Sequence, residues 1–99
     1  MVIVIVGYKV KEGADLGPIL RRLSSQATQF PGFIGAESLL SEQDGCLVAL
    51  LTRWQGIEDW NGWAKSRIRQ DILLEALPFL AESPRVTTYT ITPTVRWVG

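Results

Sequence analysis

Apolar and polar positions alternate between two rhythms along this chain, and the rhythm changes mark the elements. Residues 2–10, VIVIVGYKV, form a β-branched run that reads as a first strand, with Val2, Val4, Val6 and Tyr8 on one face. Gly7 interrupts it and marks a bulge or a close approach of another group. Asp15 is the expected cap of a first helix that tolerates Pro18 in its first turn. Ile19, Leu20, Leu23, Ala27 and Phe30 then recur at helical spacing until Pro31-Gly32 stops the helix. Phe33 to Leu40 is a second strand. The Asp44-Gly45 turn predicts that it pairs antiparallel with a third, which opens on the apolar run Leu47 to Leu51. Ile57, Trp60, Trp63 and Ala64 share one face of a short helix. Ser66 restarts a helix with Ile68, Ile72, Leu73, Ala76, Leu77 and Leu80 as its stripe, shortened near Pro78. Val86 to Thr92 is a fourth strand, and Thr94 to Val98 resumes extended structure after Pro93.

The order is β-α-β-β-α-β, which predicts an α+β, ferredoxin-like fold: one four-stranded antiparallel sheet with helices on one face, in a single domain over residues 1–99. Strands one and three are apolar on both faces, yet helices cover only one. The bare side spans roughly 380 Å² for four six-residue strands, more apolar surface than a monomer usually exposes. A second copy packed sheet against sheet resolves this. The expectation is a homodimer built as a dimeric α+β barrel, with the tail at 93–99 crossing to the partner.

Composition narrows the chemistry. Ten basic and ten acidic residues cancel, which leaves no electrostatic footprint for nucleic acid or an anionic membrane. No apolar run is long enough to span a bilayer. Met1 leads directly into the first strand without a signal-peptide pattern, so a cytoplasmic protein is expected. Cys46 is the single cysteine and reads as a small buried hydrophobe. There is no histidine, which removes the commonest general base and metal ligand together. Neither a metal nor a bound cofactor is expected.

Three of the four tryptophans, Trp54, Trp60 and Trp63, lie within ten residues at one strand–helix junction. That is more than a small core needs and suggests a pocket wall. Trp54, at the strand end, reads as a partly exposed cap. Pro31-Gly32-Phe33, and Trp54-x5-Trp60-x2-Trp63-x2-Ser66 after the third strand, resemble the antibiotic biosynthesis monooxygenase family of dimeric α+β barrels. The resemblance covers Val2 to Ile91. It implies oxidation of an aromatic or quinol-like molecule by dioxygen, without flavin or metal, once the substrate is bound and deprotonated between sheet and helices. Trp63 falls on the family's W-x-x-S position, whose tryptophan lines the pocket over the bound ring. The family's haem-degrading branch carries a first-strand asparagine and a histidine after the serine. Here stand Val6, Gly7 and Tyr8, and no histidine, which argues against haem degradation.

Such chemistry needs an apolar pocket, an oriented electron-rich ring and a route to its anion. Tyr8 and Trp63 are the catalytic candidates. Tyr8 serves as a donor that orients a substrate oxygen, because its phenol is a poor base at neutral pH. Trp60, Asn61 and Arg67 are the substrate-binding candidates. Arg67 and Arg69 both carry guanidiniums suited to a carboxylate or enolate, although helix-surface arginines usually face water. Glu58 and Asp59 suit the first turn of their helix for its dipole alone. The rival reading is a non-catalytic, dimeric ligand-binding or assembly module whose pocket is filled by side chains.

Overall fold

The computed structural model describes residues 1–94, and the expected crossing of the tail to a partner falls largely on residues 95–99, outside them. Strand β1 (Val2–Lys9) is followed by helix α1 (Gly17–Ala27), then strands β2 (Phe33–Leu40) and β3 (Leu47–Trp54). Helices α2 (Ile57–Ala64) and α3 (Arg67–Ala76) follow, then a 3-10 turn at Leu77–Phe79 and strand β4 (Arg85–Thr90). The sheet order is β2-β3-β1-β4, antiparallel throughout. This is the ferredoxin-like arrangement, with the two most apolar strands at its centre. Among the described residues no helix is long and apolar enough to cross a membrane.

Burial follows the period-2 rhythm of β1. Val2, Val4, Val6 and Tyr8 lie under the helices, while Ile3 and Ile5 are half-buried on the open face. Ile19, Leu20, Leu23 and Ala27 of α1 pack onto them. Gly7 causes no bulge: it sits in register opposite Ala49 and Arg85, and the irregularity lies on edge strand β2 between Phe33 and Gly35. Asp15 accepts from the Gly17 N–H at 2.9 Å, although the cap position itself falls on buried Leu16. Phe30 lies beyond the end of α1, in the turn that Gly32 closes at φ 80°.

Further expectations shift. Trp54 is sealed rather than capping, because α2 folds back over the end of β3; it packs edge-on to Phe33 at 5.3 Å and Trp60 at 6.2 Å. Its indole N–H donates to the Thr52 hydroxyl at 2.8 Å. The buried stripe after Ser66 is Arg69, Ile72, Ala76 and Leu80, whereas Ile68 and Leu77 are exposed. Cys46 is only half-buried, just ahead of β3. β4 begins at Arg85 and ends at Thr90, and the Ile91 N–H continues its pairing to the Met1 carbonyl at 2.9 Å.

Candidate functional site

The tryptophans meet the sheet at one place. Val6 and Tyr8 of β1 and Leu50 and Thr52 of β3 form a floor; Trp60 and Trp63 of α2, Leu23 of α1 and Arg69 of α3 close over it. The phases agree because Val6 pairs with Leu50 and Val4 with Thr52, which brings alternate residues of both inner strands to the helix side. Ser66 separates the two helices. Its side chain accepts from the Arg69 N–H at 3.2 Å and so starts α3 in the phase that turns Arg69 inward.

Trp63 is 2% exposed and meets Phe30 edge-on at 5.0 Å. Trp60 lies beneath the Arg69 guanidinium, which is 5.1 Å from its ring centroid. Tyr8 is buried, and burial pushes its phenol up to about 12, against the opposing pull of the Arg69 charge. At neutral pH it is therefore a donor and not a base. No described group bonds to its hydroxyl, and no fully sealed side-chain oxygen or nitrogen lacks a partner. Tyr8 is one of the residues that line the cleft.

The structure thus brings Tyr8, Trp60 and Trp63 together. It does not bring Asn61 or Arg67 with them. Both are exposed on the outer faces of their helices, and Arg67 faces Asp71 at 3.8 Å. The guanidinium in the cleft belongs to Arg69, which the sequence offers beside Arg67 as a partner for a carboxylate or enolate. Ile72 and Ala76 lie three and seven positions beyond it, so the helical spacing itself carried the signal. Among the described residues no three metal-ligating side chains converge.

The cleft as it stands is closed, at about 10 Å³, room for little more than one water. A larger cavity of about 340 Å³ lies beside it, between the start of α1 and the hairpin end of β2 and β3. Val10, Leu20 and Val48 line that cavity, each one same-face step from Tyr8, Leu23 and Leu50 of the cleft. Neighbouring same-face positions of β1, β3 and α1 therefore line both spaces. The cavity is mainly aliphatic, with Ser38 and Asp15 as its polar side chains.

The sequence profile of a family described as antibiotic biosynthesis monooxygenase matches residues 1–73. No curated protein matches the sequence. Among solved structures, a candidate antibiotic biosynthesis monooxygenase from Nitrosomonas europaea superposes with a TM-score of 0.80 at 18% identity, over 91% of this chain and 97% of that one. Rv0793 from Mycobacterium tuberculosis gives 0.81 at 15% identity, over 96% and 98%. SnoaB, a cofactor-independent oxygenase from Streptomyces nogalater, gives 0.81 at 12% identity, over 95% of each chain. At these identities the superpositions establish the fold.

Proposed function

The chain belongs to the antibiotic biosynthesis monooxygenase family, and from that premise we propose that it is a cofactor-free oxygenase of a small aromatic or quinol-like molecule. It acts as a single-domain homodimer in the cytoplasm. The observation that carries this reading is Tyr8, which lines the cleft together with the two tryptophans and whose hydroxyl no described group bonds. A donor so placed has a ligand oxygen as its natural acceptor.

The substrate's bulk lies in the 340 Å³ cavity, a volume typical of small-molecule sites. Its reacting edge extends past Leu20 and Leu23 to Tyr8 and Trp63. The carbanion of a ring methylene adds to dioxygen, the peroxide takes up a proton, and loss of water leaves a ring carbonyl. One oxygen atom of dioxygen ends in the product and one in water. Tyr8 holds the neighbouring ring oxygen, and the tryptophans and leucines exclude bulk water from the peroxide.

The dimer has its own support. On the open face Ile3, Ile5, Ala49, Leu51, Leu39 and Tyr89 share one register, with only the Arg53–Glu37 pair, Lys9, Arg85 and Thr87 among the polar groups set into it. A monomer mass that persists at micromolar protein would reject that part.

Dioxygen uptake across anthrones, naphthoquinols and catechols, with chelator present, tests the chemistry. Saturable uptake that Tyr8→Phe lowers about tenfold or more supports it, the loss expected for a hydrogen bond to developing charge. Rates no higher than spontaneous oxidation would favour the rival module, whose supporting observation is the closed 10 Å³ cleft.

A further inference from the structure

Arg69 is a buried cation with no counter-ion among the described residues. It is 8% exposed, and the ion pairs among the described residues, Lys9–Asp44, Arg22–Glu75, Arg53–Glu37 and Arg67–Asp71, all lie elsewhere. Its Nη1 donates to the Ala64 carbonyl at 3.5 Å, the outer limit of a hydrogen bond. The rest of its support is the Trp60 face. A guanidinium carries five N–H donors. No sealed side-chain nitrogen among the described residues is unpaired, so its unspent donors keep accessible surface, and the side chain is one wall of the cleft. Among the described residues no aspartate or glutamate lines that cleft, and Arg69 is the one formal charge there.

We propose that Arg69 is the oxyanion-binding residue of the cleft, and that its ligand is an aromatic molecule that arrives already ionised, bearing a phenolate, enolate or carboxylate oxygen. This rests on reading the cleft as a ligand site. It accounts for a feature the oxygenase reading leaves open, namely where the substrate's proton goes. Nothing in the cleft can take it: Tyr8 is neutral at ordinary pH, the carboxylates lie outside, and the chain has no histidine. An apolar cleft with one unpaired guanidinium instead selects the anion from solution, and the proton leaves to bulk water before binding. Desolvation raises the Coulomb attraction between the partners. The planar guanidinium can meet an oxyanion with two N–H groups, while the Tyr8 hydroxyl supplies another donor.

Isothermal titration calorimetry with 2-hydroxybenzoate and its neutral isostere 2-hydroxybenzamide, at pH 7, tests this. The wild-type protein should bind the benzoate at least about tenfold more tightly. Arg69→Gln should bring the two affinities together, and Arg69→Lys should keep part of the preference. Equal binding of the two probes by the wild type, binding of neither, or an undiminished preference in folded Arg69→Gln would overturn the assignment. Wild-type data alone decide if Arg69→Gln does not fold. Anion preference without dioxygen uptake would keep the assignment and reject the oxygenase. Enzymatic uptake without anion preference would do the reverse.

Discussion

Replacing Tyr8 with phenylalanine removes one oxygen atom from the sheet–helix interface, and two separate consequences follow from where that oxygen sits. At neutral pH the stability change should be small, within about 1 kcal/mol, because no described group bonds to the hydroxyl that is lost. At alkaline pH the two proteins should part. The unfolded phenol releases its proton near 10 and the folded one only near 12. Between those values the unfolded state is the more deprotonated, so rising pH favours unfolding. The contribution of Tyr8 is whole below pH 10 and is lost as pH climbs to 12. At about 1.4 kcal/mol per tenfold change in ionisation, the full loss is about 3 kcal/mol, and roughly half of it is reached at pH 11. Lys9, held above its usual value chiefly by its hydrogen bond to Asp44, also loses its contribution at high pH, but equally in both proteins. Urea midpoints measured at pH 8 and pH 11 isolate the phenol. With a slope of about 1–1.5 kcal/mol/M, the wild type should lose about 1 M more than Tyr8→Phe. Equal losses would refute a buried, neutral Tyr8. They would also undercut its role as a donor in the cleft, since both rest on the same burial.

Two further substitutions test the scaffold behind the site. Thr52→Val keeps the shape of the core but removes the acceptor of the buried Trp54 indole N–H, and should cost about 1–2 kcal/mol in urea midpoints. Combined with Trp54→Phe it should be non-additive by about 1 kcal/mol, and strict additivity would reject the bond. Gly32→Ala places a Cβ 2.2 Å from Asp59 Cγ at a φ of 80°. It should cost at least about 2 kcal/mol, with Asp59→Ala relieving only part of the clash, because the Asp59 Cβ itself lies 2.6 Å away, and none of the backbone share. A neutral Gly32→Ala would mean that the Pro31-Gly32 turn does not seat against α2.

What the sequence disclosed, and what it hid, divides along a physical line. Period 2 in β1 and period 3.6 in α1 report which face each element buries, so Tyr8, Trp60 and Trp63 could be placed toward one space before any coordinates. Element order and the Asp44-Gly45 turn carried the topology for the same local reason. Trp54 was misplaced because its burial depends on α2 folding back over the strand end, a tertiary event with no local mark. The 340 Å³ cavity was invisible likewise, since its walls come from the start of α1 and the far end of the β2–β3 hairpin.

Arg69 is the instructive case. Its position belongs to the buried stripe of Ile72, Ala76 and Leu80, and only its side-chain type argued for water. Arg67, two residues away on the opposite face, has the ordinary surface environment and an Asp71 neighbour. Residue type does not separate the two arginines, whereas periodicity puts Arg69 on the buried face and Arg67 on the exposed one. A charged residue in a core-facing phase conflicts with burial unless something compensates it. Here the Trp60 face and one long hydrogen bond compensate it in part. The guanidinium is otherwise a wall of the cleft that Tyr8 also lines. The same conflict that hid Arg69 from a reading by residue type is what makes an anionic ligand the simplest partner for it.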